Sequence, residues 1–130
     1  MIILKYICLG VVFLFFLMGG IGHFTQTEQF VAIMPPYMPF HLEAVYVSGV
    51  FELLGAFGIL WAKSRRIAGL GLFALVIMVT PANIHMWLNA EDFPNFSMTY
   101  HYVGLTVQLV LLYVIWWSTK PAETSEVVEA

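Results

Sequence analysis

The chain has 130 residues, of which 61% are hydrophobic, 16% aromatic and only 10% charged, with a formal net charge of −3. A soluble domain carries about 25% charged residues, so this composition excludes a soluble globular domain, a disordered chain and a disulfide scaffold, and points to a one-domain integral membrane protein. Five Lys or Arg in all leave no basic surface for nucleic acid, and the lone Cys8 excludes an internal disulfide, a CxxC motif and a thiolate metal cluster.

Crossing a bilayer takes about 20 mostly apolar residues. Four runs meet that length, at about 2–24, 42–62, 67–87 and 98–118. The expected fold is all-α: a four-helix transmembrane bundle over 1–118, then an acidic tail over 119–130 set off by Pro121. The first run is too long for the apolar core of a signal peptide, about 7–15 residues, and its N-terminal region holds only Lys5, so it reads as a retained span. After it, Thr25-Gln26-Thr27-Glu28 has capping-box spacing, and Phe30, Ile33 and Met34 follow. This predicts a short interfacial helix between spans one and two, stopped by Pro35 and Pro36.

Span two carries Glu52, about ten residues in and so roughly 15 Å deep. Ser48, Gly49, Gly55 and Ala56 share its face, a small-residue stripe that lets another helix come close. Glu52 is therefore expected to face the bundle, paired or neutral. Two roles stay open for it: a structural hydrogen-bonding carboxyl, or ligand or proton handling. Span three contains Pro81, which leaves the carbonyl of Ile77 without its helical donor, and Asn83. Span four sets His101, Gly104 and Gln108 on one face. Glu52, Asn83 and Gln108 are expected to form a polar core, either as interhelical hydrogen-bond glue or as part of a pocket.

All five basic residues, Lys5, Lys63, Arg65, Arg66 and Lys120, fall on one side of a four-span topology, which makes that side cytoplasmic and puts both termini there. All four histidines fall on the other side: His23, His41, His85 and His101. Imidazoles are common metal ligands, and His23, His85 and His101 are expected to approach one another across the outer mouth, with His41 peripheral and turned to water. No HxxxH or HExxH pair lies on one helix, so no metal is assigned and this trio is only a minor alternative site. Readings as a polar ligand pocket or as separate interfacial histidines stay open.

Several segments resemble the DoxX family of membrane proteins. They are Gly22-His23-Phe24, Ile33-Met34-Pro35-Pro36-Tyr37, Ser48-Gly49-Val50-Phe51-Glu52-Leu53, Arg65, Ala68-Gly69 and Pro81-Ala82-Asn83-Ile84. The similarity covers roughly residues 15 to 90 and, loosely, the last span. It implies a bacterial four-helix protein of the inner, cytoplasmic membrane. The family takes its name from a subunit of a thiosulfate:quinone oxidoreductase, and some relatives are linked to redox or sulfur metabolism; most have no established activity.

Three functions follow as expectations. The first is an accessory or binding subunit holding an apolar small molecule, quinone or isoprenoid-like, in an outward-facing bundle pocket. Its polar groups would be Glu52, Asn83, His85, His101, Gln108 and His23. The second is a structural or assembly subunit of a larger membrane redox complex, docked through small-residue stripes. The third is a membrane enzyme using Glu52 or a histidine as acid–base on a lipid-soluble substrate. No recognised catalytic motif or cofactor signature occurs. The partners named are the lipid bilayer, other membrane subunits and a quinone-like molecule.

Overall fold

The computed structural model describes residues 1–121. Five α-helices follow in chain order: α1 (Ile2–Thr25), α2 (Thr27–Ala32), α3 (His41–Gly58), α4 (Ala62–Leu88) and α5 (Met98–Ser118). A 3₁₀ turn, Ala90–Asp92, joins the last two. Among the described residues there is no strand. The tail expected over 119–130 lies, from residue 122 on, outside the described residues.

Helices α1, α4 and α5 are each long and apolar enough to cross a membrane. The first and last spans read from the sequence coincide with α1 and α5 almost residue for residue. The middle two do not. Helix α3 stops at Gly58, and the chain turns over Ile59, Leu60 and Trp61. The segment 63–66, read as a loop because it is polar, is the first turn of α4. The cause is local hydrogen bonding. Ser64 Oγ donates to Gly58 O at 2.6 Å, Arg65 Nε to Ile59 O at 2.7 Å and Arg65 Nη2 to Leu60 O at 3.2 Å. The orphan carbonyls that end α3 are thus met by side chains that begin α4. Polar residues here close a tight corner between two helices.

The capping box is absent as well. Thr25 belongs to α1, and its hydroxyl bonds back to Ile21 O at 3.3 Å. Thr27 Oγ1 donates to His23 O at 2.7 Å. Both threonines satisfy carbonyls at the end of α1 rather than amides at the start of α2. Helix α2 shrinks accordingly to six residues, with no side-chain cap. The cap that does form is Ser97, whose hydroxyl accepts from Tyr100 N at 3.1 Å and starts α5.

The four long helices pack in a closed antiparallel ring: α1 on α3, α3 on α4, α4 on α5, and α5 back on α1. Glycines set the close approaches. A Cβ on Gly49 would lie 2.7 Å from His23 Cβ, and one on Gly20 2.8 Å from Leu53. Gly55 receives Leu72, and Gly69 receives Thr119. Along α4 and α5 the pairing runs Gly69 to Thr119, Phe73 to Trp116, Thr80 to Gln108 and Trp87 to Tyr102, a steady antiparallel register. The buried core holds Leu9, Val12 and Phe16 of α1, Ala56 of α3, Leu72 and Val76 of α4, and Leu111 and Ile115 of α5. Outward faces are apolar too: Ile67 is 78% exposed, Leu109 70% and Met78 69%. Patches of that kind on a folded surface mark a face turned to something other than water.

Candidate functional site

The sequence grouped six polar residues. The structure divides them by the interface each helix pair makes. The α1–α3 crossing is closest at Gly20 and Gly49, where the two backbones nearly touch. One turn from that point along α1, and one turn along α3, the side chains of His23 and Glu52 meet. His23 Nε2 lies 3.2 Å from Glu52 Oε2. His23 is 7% exposed and its Nδ1 lies 2.7 Å from Val45 O. On the other side of Glu52, a Cβ on Gly19 would sit 3.3 Å from Oε2, so the small residue makes room for the carboxyl.

The protonation of this pair follows from its partners. A backbone carbonyl only accepts, so His23 Nδ1 carries a hydrogen and donates to Val45. Nε2 then faces a carboxyl oxygen. A bare charge is costly in an apolar interior, which favours a protonated carboxyl or an imidazolium–carboxylate pair. In both of these states the pair is electrically neutral. The approach is not aligned as a hydrogen bond, and Oε2 is a buried oxygen without a hydrogen-bond partner among the described residues. Buried polar atoms of this kind are rare in folded proteins and call for a partner such as a ligand or an ordered water.

Helix α2 covers the pair from the end of the bundle. Phe30 stacks on His23 with ring centroids 4.1 Å apart and planes at 28°. A cleft of about 350 Å³ lies beside this lid, lined by Thr25, Gln26, Thr27, Glu28 and Gln29. It begins two residues beyond His23, so the pair sits below a polar, open segment.

The other candidates have partners of their own. Gln108 is met by Thr80, whose hydroxyl lies 3.4 Å from Oε1 and also donates to Val76 O at 2.7 Å. Asn83, expected beside Gln108, is half-buried one turn further along α4. Among the described residues no hydrogen bond joins Glu52, Asn83 and Gln108: Glu52 meets His23 between α1 and α3, and Gln108 meets Thr80 between α4 and α5. Thr80 was not among the sequence candidates; its signal was its place beside Pro81, where backbone bonding is already broken. His85 Nδ1 lies 3.2 Å from Asn89 Nδ2, with Tyr37 and Phe93 edge-on. His101 is 4% exposed between Phe96 and Tyr100, and its Nε2 is buried without a hydrogen-bond partner among the described residues.

The histidine trio is also corrected. Among the described residues no three His, Cys, Asp or Glu side chains come together as a metal-holding group. His23, His85 and His101 end different helices around the ring, and each packs on its own aromatic neighbours. His41 differs from expectation in another way. It opens α3 and donates from Nε2 to Pro35 O at 3.0 Å, pinning the proline link instead of turning to water.

At the opposite end the five basic residues gather. Lys5 donates to the carbonyl of Lys120, joining the start of α1 to the end of α5. Arg66 donates to Trp116 O at 3.0 Å and lies over the Trp116 ring at 4.2 Å. Arg65 approaches the Tyr6 ring at 5.8 Å. No curated protein and no solved structure matches the chain. A family described as a domain of unknown function, DUF8561, matches residues 12–119. That span takes in α3, α4, α5, the part of α1 from residue 12 onward and the His23–Glu52 pair, and the chain belongs to this family.

Proposed function

We propose that the chain is a DoxX-like, four-span protein of the bacterial cytoplasmic membrane that binds an apolar small molecule, quinone or isoprenoid-like, as an accessory subunit. Its termini and basic end face the cytoplasm, and its histidine end faces outward. The segregation of all five basic residues to one end supports this orientation. Although α3 has only 18 residues, the closed ring of partners supports its reading as a fourth span. The observation that carries the binding role is the buried, unpartnered Glu52 Oε2 beside His23. A headgroup carbonyl or hydroxyl of a lipid-soluble molecule would find there both a donor and an acceptor within apolar walls.

A second reading is an assembly subunit. Gly71 on α4 and Gly104 on α5 have nothing within 4 Å of where a Cβ would stand, so small residues face outward where a partner helix could lie against them. Organic extraction of the purified protein followed by mass spectrometry separates the two. Binding predicts one lipid-soluble molecule in stoichiometric amount, lost in Glu52→Leu and kept in Gly104→Leu. Assembly predicts no such molecule, and a co-purifying partner that Gly104→Leu or Gly71→Leu releases. Reporter fusions at Ser64 and Asp92 test the orientation; an externally active reporter at Ser64 would overturn it.

A further inference from the structure

The basic end holds a cleft of about 330 Å³ between the starts of α1 and α4 and the end of α5. Lys5, Arg65, Arg66 and Lys120 line it, and Ile2 and Leu9 give it an apolar side. Its cations are held in place by neutral groups. Lys5 is tied to the carbonyl of Lys120 just past α5, Arg65 to two carbonyls of the α3–α4 turn, and Arg66 to Trp116 by a hydrogen bond and a ring contact. These contacts fix the side chains without cancelling their charge. Among the described residues the one acid–base contact between side chains is His23–Glu52, at the other end. Arg66 also reaches Thr119 Oγ1 at 3.4 Å, and among the described residues Lys5 and both arginines keep further N–H donors free.

We propose that this cleft binds the phosphodiester headgroup of an anionic phospholipid. Four positive charges, without a carboxylate partner among the described residues, favour an anion. The planar fork of a guanidinium matches the oxygens of a phosphate. The apolar flank separates a lipid from a free anion: Ile2 is 65% exposed and Tyr6 56%, so the cleft opens onto the lateral apolar surface, where acyl chains would leave it. Basic pockets between spans on the cytoplasmic side are suited to anionic headgroups. The inference rests on the membrane reading above but not on any ligand at Glu52.

The test uses the full chain in a neutral detergent, with native mass spectrometry and thermal unfolding as readouts. Phosphatidylglycerol is expected to bind one per chain and raise the unfolding temperature, with phosphatidylcholine at least tenfold weaker. Lys5→Gln/Arg66→Gln should weaken phosphatidylglycerol about tenfold and leave phosphatidylcholine unchanged. Lys120→Gln, whose side chain ties no helix together, should weaken it several-fold even if the double variant folds poorly. Equal binding of the two lipids, or undiminished phosphatidylglycerol binding by Lys120→Gln and the double variant, would overturn the proposal. Displacement of phosphatidylglycerol by millimolar inorganic phosphate would assign the cleft to a soluble anion and overturn the lipid. A chain that needs no detergent to stay dispersed would remove the membrane reading instead, a failure distinct from lost lipid selectivity.

Discussion

Gly49→Leu is expected to prevent α1 from docking on α3, and Gly49→Ala to lower stability by about 1–3 kcal/mol, the range for overpacking a filled interior. The cause is the absence of room. A Cβ at Gly49 would lie 2.7 Å from His23 Cβ, 2.9 Å from the Phe24 ring and 3.3 Å from the carbonyl oxygen of Gly20. The first and last of these atoms cannot swing away, because they belong to the backbone or sit next to it. Helix propensity works in the opposite direction, since Ala in place of Gly gains about 1 kcal/mol in a helix interior. The overpacking therefore has to exceed that gain for the sign to be destabilising, and contacts this short make it do so. Gly104→Ala is the matched control. Nothing lies within 4 Å of its new Cβ, so propensity acts alone and the variant should be neutral or slightly more stable. Unfolding in mixed micelles followed by circular dichroism reads both. A Gly49→Ala protein as stable as the Gly104→Ala protein would contradict the α1–α3 crossing.

The second large effect belongs to the pair that this crossing positions. Glu52→Leu leaves His23 Nε2 in an apolar interior without its partner and should cost about 1–3 kcal/mol. His23→Leu should cost more, because it strands both the Glu52 carboxyl and the Val45 carbonyl and removes the ring that Phe30 stacks on. Glu52→Gln should fold well, because an amide N–H can donate to Nε2 while Nδ1 keeps its bond to Val45. The double variant His23→Leu/Glu52→Leu should be more stable than the two single losses added together, with a coupling of about 1 kcal/mol or more. Strict additivity would mean that the two side chains do not act on each other.

The extent to which the sequence disclosed this arrangement varies with the signal. Helices α1 and α5 are uninterrupted apolar runs, and their ends were legible to within a residue or so. The α3–α4 corner was misplaced because its residues invert the usual code. Ile59, Leu60 and Trp61 are apolar yet make the turn, while Ser64 and Arg65 are polar yet helical, since their hydrogen bonds reach back to α3 carbonyls. Thr25 and Thr27 misled for a related reason. A threonine hydroxyl serves a preceding carbonyl as readily as a following amide, and spacing does not tell which. Glu52 facing its neighbours could be read from the small residues three and four positions away. Its partner could not. Which residue of α1 meets it depends on the register set at Gly20 and Gly49, a tertiary contact with no local signature. The histidines were sorted to the right end of the helices, but four helix ends surround a bundle, and sharing an end does not bring side chains together.

The central claim is that His23, with Nδ1 held by Val45, turns its Nε2 onto Glu52 inside the α1–α3 interface. The direct measurement is nitrogen-15 NMR of the full chain, labelled at histidine and held in a lipid nanodisc. The His23 signals are assigned by their loss in His23→Leu. The account expects Nδ1 of His23 to carry a hydrogen throughout, donated to Val45, and the Nε2 resonance to move when Glu52 is replaced by leucine. An unprotonated Nδ1, or an Nε2 resonance indifferent to Glu52→Leu, would contradict it.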